Sequence, residues 1–176
     1  MKKLLATLCS LACLFALVPN AAHAQPYLAN LNGAQDGGAG RQGIGTINFT
    51  LTGTTLTLLG SYSGLSSAVT AAHIHGPAGF GVNAGVIYGL GGTVIPLGGT
   101  SGAVNGSVSL AAIGSYTVSQ QIADLNNSLW YVNIHDAPFP GGEIRGQIVP
   151  VPEPSTIALG VGIGAVLLGL RFRKQS

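Results

Sequence analysis

The chain of 176 residues has few of the groups that proteins commonly use for chemistry: 7% charged residues, 2 Cys, 4 His, 1 Met and 1 Trp. An average domain is roughly 25% charged. Both cysteines, Cys9 and Cys13, lie near the N-terminus, so from Gln25 onward there is no thiol. Disulfides, Cys-ligated metals and Cys nucleophiles are thereby excluded from that part. Basic residues are also scarce there. Lys2, Lys3, Arg171, Arg173 and Lys174 sit at the ends, and between Gln25 and Pro150 only Arg41 and Arg145 oppose Asp36, Asp124, Asp136 and Glu143, a formal charge of −2. Two arginines make no cationic patch, which excludes nucleic acid as a partner, because a phosphate backbone is neutralised by several cations. There is no Gly-x-Ser-x-Gly elbow, and the glycine-rich runs 79–83 and 89–92 do not open a helix, so neither a serine-hydrolase turn nor a phosphate cradle is present. The four acids are too scattered along the chain to argue a carboxylate pair.

What is abundant is apolar sequence, 47%, together with 28 glycines. Part of it serves targeting. Lys2 and Lys3, the apolar run 4–18 and the small-x-small triplet Ala22-His23-Ala24 read as a signal peptide over 1–24, cut by signal peptidase so that the mature chain begins near Gln25. A lipoprotein reading of Cys13 is disfavoured, since Ser10 stands where a large aliphatic residue belongs. Residues 150–176 carry Pro152-Glu153-Pro154, an apolar stretch 157–170 and a basic tail 171–174. These three features in this order resemble the PEP-CTERM sorting signal of Gram-negative bacteria. The resemblance implies an exosortase that acts near the motif and passes the protein from the inner membrane to the cell surface or an extracellular polysaccharide matrix. Fourteen helical residues span about 21 Å, short of the ~30 Å hydrocarbon core, which suits a transient anchor. With positive charge favouring the cytoplasmic side at both ends, the middle of the chain is expected outside.

That middle, residues 25–149, is long enough for one domain with its own core. Residues 44–51 alternate so that Ile47, Phe49 and Leu51 share one face, the mark of a strand with one solvated side. The same habit predicts strands over 27–31, 54–62, 68–75, 85–90, 106–110, 129–135 and 143–149, with Gly, Pro and Asn between them. Thr117-Val118-Ser119-Gln120 has capping-box spacing, and Ile122 and Leu125 follow one turn apart, so a single short helix begins there. The expected fold is all-β: an antiparallel Greek-key-like β-sandwich or barrel with one short helix, flanked by the signal peptide and a transmembrane sorting helix.

Two segments look like copies of one hairpin. Ala72-His73-Ile74-His75-Gly76-Pro77 leads to Gly85-Val86-Ile87-Tyr88-Gly89, and Asn133-Ile134-His135-Asp136-Ala137-Pro138 leads to Gly142-Glu143-Ile144-Arg145-Gly146. Together with Leu31-Asn32-Gly33-Ala34-Gln35, these blocks resemble the CHRD domain, widespread in bacterial secreted proteins, over nearly the whole mature chain. There are two departures. Asp36 is followed by Gly37-Gly38 where the family usually has prolines, so that edge is expected to be looser. Asp136 stands where the family usually has Thr, which is expected to change the charge beside His135.

From Gln25 on the only histidines are His73, His75 and His135. Positions i and i+2 of a strand point the same way, so His73 and His75 share a face, as do Asn133 and His135. If the two strands are close, three imidazoles converge into a site for copper or zinc, with Asp136 and Glu143 as partners behind the ligands. On the plainer reading the histidines bond neighbouring carbonyls, and Glu143 and Arg145 form an ion pair that locks a hairpin. His-x-His on a Greek-key strand is similar to copper-zinc superoxide dismutases, but the further histidines of a dinuclear site are missing. Trp130 and Tyr131 open a strand, one facing the core and the other outward. The leading expectation is an exported, surface-sorted CHRD domain protein with a non-enzymatic role in the cell envelope or matrix. The alternative is a mononuclear copper or zinc protein using His73, His75 and His135.

Overall fold

Apolar alternation and turn residues divide the chain into nine strands and one α-helix in a computed structural model that describes residues 24–152. The expected signal peptide, the sorting helix, Glu153 and Pro154 lie outside the described residues. Among those residues no helix is long and apolar enough to cross a membrane.

In order, the strands are β1 (Gln25–Asn32), β2 (Ile44–Thr52), β3 (Thr55–Ser63), β4 (Val69–His75), β5 (Val86–Gly89), β6 (Gly102–Ser109), β7 (Tyr131–Asp136), β8 (Ile144–Gln147) and β9 (Val149–Pro150). They join one antiparallel sheet in the order β5-β4-β7-β8-β1-β2-β3-β6, with β9 also on β1. The β7–β8 hairpin is thus inserted between β4 and β1, a long-range crossing of the Greek-key kind. The sheet is barrel-like and nearly closed. Across the gap between its edges runs the 90–100 connection, where Leu90 N–H donates to Ala72 O (2.8 Å), Gly98 N–H to Val69 O (3.0 Å) and Asn105 N–H to Val94 O (3.1 Å). Backbone groups of β4 that the short β5 leaves unpaired, and one of β6, are satisfied in this way.

The inward positions form the core: Ile47, Phe49 and Leu51 as expected, with Tyr27, Leu31, Leu56, Leu58, Ile74, Val132, Ile134 and Ile144 from other strands. Trp130 is fully buried among them and donates its indole N–H to the Tyr116 hydroxyl at 3.0 Å. Tyr131 is buried as well, on the opposite face, so neither of the pair meets solvent.

Two strands depart from the expectation. β6 starts at Gly102 rather than near 106, because its ladder with β3 continues from Ser109 back to Gly102 through small residues that leave little apolar pattern. The run expected over 143–149 is broken at Ile148, whose N–H bonds Trp130 O (2.8 Å), as the chain passes from its pairing with β7 to pairing with β1. Nor is the edge after Asn32 loose. Gly33–Asp36 forms a 3-10 turn, capped by the Asn32 side chain and ended at Gly37 in the left-handed region (φ 99°).

The helix α1 (Val118–Asn126) starts where the capping box puts it: Gln120 N–H donates to Thr117 Oγ1, and Thr117 N–H donates to the Gln120 side chain. Buried Gln121 accepts from the Tyr88 hydroxyl at 2.6 Å and donates to Ala111 O at 2.7 Å, which fastens the helix to β5. Thr117→Ala is expected to lower folding stability by about 1 kcal/mol in urea denaturation. Unchanged stability would show that the tertiary contacts of Gln121 and Leu125 hold the helix without its cap.

Candidate metal centre

β4 and β7 are neighbours in the sheet, pairing Ala71 with His135, His73 with Asn133 and His75 with Tyr131. Since Ala72, Ile74, Val132 and Ile134 take the inward positions, His73, His75, Tyr131, Asn133 and His135 all project from the outer face of the barrel. That face is nevertheless covered. Residues of the 76–85 and 137–142 connections and of the turn after β1 lie over it, leaving His75 9% and His135 7% exposed and His73 half-buried.

The three imidazoles converge as the alternation argument anticipates. Ring centroids are 5.0 Å apart for His73 and His135, 5.6 Å for His73 and His75 and 6.0 Å for His75 and His135. One nitrogen from each ring lies within 4.8 Å of the others. A metal bound at ~2.0–2.1 Å to each keeps donor atoms within about 4.2 Å of one another, so small side-chain rotations complete the set. Backbone carbonyls fix the tautomers. His75 Nδ1 donates to Ala84 O and His135 Nδ1 to Pro140 O, both at 3.0 Å, which places the proton on Nδ1 and leaves each Nε2 a lone pair. His135 Nε2 lies 3.1 Å from His73 Nδ1, and His75 Nε2 is buried without a hydrogen-bond partner. Burial lowers the proton affinity of all three rings; at His75 and His135 the bonds to Ala84 and Pro140 oppose this in part, and the neighbouring imidazoles add to it. Neutral imidazole, the form that binds metal, is therefore the favoured form.

Asp136 and Glu143 are not the partners behind these ligands; the carbonyls of Ala84 and Pro140 take that place. Asp136 follows His135 in β7 and so points to the other face, where it does not alter the charge at the histidines. There it meets Glu143, making the carboxyl pair that sequence spacing could not reveal. Both are fully buried. Glu143 accepts from Ser66 N–H (2.8 and 2.9 Å to its two oxygens) and from Ser66 Oγ (2.9 Å), while Asp136 Oδ1 accepts from Phe139 N–H (2.9 Å). Burial pushes Asp136 above the usual carboxyl range, and Glu143 beside it pushes further. Burial would raise Glu143 too, but hydrogen bonds from Asp136, Ser66 and Gly43 hold it below the usual range. Of the two, Asp136 is thus the weaker acid and Glu143 the stronger.

Nor does Glu143 pair with Arg145. The guanidinium of Arg145, 2% exposed, donates to Val82 O (2.8 Å) and Asn83 Oδ1 (3.0 Å) on the covering connection. Its carbon lies 3.3 Å from the centroid of the Tyr131 ring, whose other face stacks on His75 at 4.9 Å with an interplanar angle of 3°. Sequence reasoning passed over Tyr131, Asp36 and Gly142 as parts of this layer. For Tyr131 the signal was available, since it shares the i, i+2 alternation of Asn133 and His135. For Gly142 it was not: φ is 131°, and a Cβ there would strike Asp36 Oδ2 and the Asn133 amide.

These observations define a class, an all-β barrel-like domain with a largely buried histidine triad on its outer face under covering loops. The chain belongs to the CHRD domain family, which matches residues 27–148. No curated protein and no solved structure shows a significant match to it.

Proposed function

We propose that this chain is an exported CHRD domain protein whose role outside the cell is to bind a single copper or zinc ion through His73, His75 and His135. The observation that carries this reading is the unpartnered, buried lone pair of His75 Nε2 beside two further imidazole nitrogens. A buried polar atom without a partner is costly unless something else satisfies it, and a cation between three neutral imidazoles does so. The role is binding, in the cell envelope or an extracellular polysaccharide matrix. The test is titration of the full chain with copper and with zinc, followed by calorimetry. Binding of one equivalent at micromolar concentration is expected, and failure to bind either metal at that concentration would sink the reading.

Export and sorting belong to the same proposal, supported by the signal-like residues 1–24 and the PEP-CTERM-like residues 150–176. Replacing Pro152, Glu153 and Pro154 with alanine is expected to leave the protein in the inner membrane, because the exosortase then has no motif. Equal release of the wild type and the variant in cell fractionation would contradict it.

A further inference from the structure

We propose that the triad selects monovalent copper over divalent copper and zinc, and that Arg145, seated against His75 through Tyr131, sets this preference. The inference rests on the metal-binding reading and adds to it the oxidation state.

Charge supplies the first argument. The donor set is three neutral imidazoles with no carboxylate bonded to any of them. Beside it a permanent positive charge is built in: Arg145 is 2% exposed, tethered at both ends of its fork to Val82 and Asn83, and laid on the Tyr131 ring that stacks on His75. Guanidinium does not lose its proton in proteins, so its field is constant. That charge faces the ligand across a single ring, with the guanidinium carbon 3.3 Å from the Tyr131 centroid and that centroid 4.9 Å from the His75 ring, while the carboxyl of Asp36 lies in the same layer beside Asn133. A second unit of charge on a bound ion meets the field again. At roughly 8–10 Å and an effective dielectric constant near 20, it weakens binding by about tenfold to thirtyfold.

Coordination number supplies the second. Zinc takes four ligands in a tetrahedron and so needs a water beside the three histidines, and divalent copper prefers a tetragonal set, whereas His75 and His135 lie almost wholly covered by the loops. Among the described residues this site gathers three nitrogen donors, a number that satisfies the d10 cuprous ion. Imidazole by itself does not choose among these metals, so the count and the nearby charge decide.

The experiment measures dissociation constants of the full chain for Cu(I), by anaerobic competition with a chromophoric cuprous chelator, and for Cu(II) and Zn(II). It is repeated with Arg145→Met, which removes the charge but keeps bulk, and Arg145→Lys, which keeps the charge. The wild type is expected to bind Cu(I) more tightly than Zn(II). Arg145→Met should move the Cu(II) to Cu(I) affinity ratio about tenfold to thirtyfold toward Cu(II), and Arg145→Lys should restore much of it. Wild-type binding of Zn(II) as tight as that of Cu(I) overturns the preference, even if neither variant folds, while leaving the metal site standing. An unchanged ratio in a folded Arg145→Met overturns the role of Arg145. If no metal binds the wild type, the underlying reading fails and this inference with it.

Discussion

His135→Ala is expected to weaken copper or zinc binding by well over the roughly 10–100-fold that loss of a supporting partner costs at a metal site. His135 supplies the Nε2 that lies 3.1 Å from His73 Nδ1, the closest donor contact in the triad. Without it only the His-x-His of β4 remains, and two imidazoles do not make a closed set for either metal. The fold should survive, because the ring stands on the outer face and not among Ile134, Val132 and the core. The clearest readout is thermal: with metal at 100 times its dissociation constant the wild type gains about 2.7 kcal/mol of stability, whereas the variant at the same concentration gains almost none. Equal stabilisation of both proteins by metal would show that the ion binds elsewhere.

Glu143→Ala is expected to cost about 2–4 kcal/mol of folding stability, since hydrogen bonds to a charged group are worth roughly 1.5–3 kcal/mol and the Ser66 donors are left buried without their acceptor. Ser66 N–H and Oγ lose the carboxylate they donate to, and a void opens between β8 and the segment leading into β4. Glu143→Gln keeps the shape and an acceptor for Ser66, so its loss should be less than half as large. The pH dependence separates the two effects. Glu143 ionises below its ordinary value of 4.5 in the folded protein, so its stabilisation is present above that value and is lost as pH falls through the lower folded value. Asp136, raised above 3.8, acts in the opposite sense, favouring the fold at low pH and losing that contribution as pH rises through its folded value. Urea denaturation from neutral pH downward should therefore show an acid-side fall in wild type that is flatter in Glu143→Gln. Parallel curves would place the acid sensitivity elsewhere.

Much of the fold was legible because alternation is a local signal. Ile47, Phe49 and Leu51 share a face whatever their partner strand, and the Thr117–Gln120 box specifies a helix start within four residues. Where side chains are small, as in β6 from Gly102 to Gly106, the pattern fades and only pairing with β3 defines the strand. The site divides along the same line. That His73 and His75 share a face follows from strand geometry, whereas the Glu143–Arg145 ion pair was a reasonable expectation from spacing that the fold did not realise. Glu143 precedes β8, next to Gly142 at positive φ, so the i, i+2 rule does not reach it.

The sequence by itself determined the family, the all-β class, the absence of thiols from Gln25 onward and the single concentration of histidines there, since each is a matter of which residues stand at which spacing. Only the tertiary structure decided that β4 and β7 lie side by side, that the histidine face is the outer one and yet buried beneath loops, and that Arg145 serves Tyr131 and His75 rather than Glu143. Those outcomes depend on pairing between strands about 60 residues apart and on loops folding back over the sheet. Such contacts leave no local pattern, because their energy comes from surfaces that meet only when the whole barrel has formed.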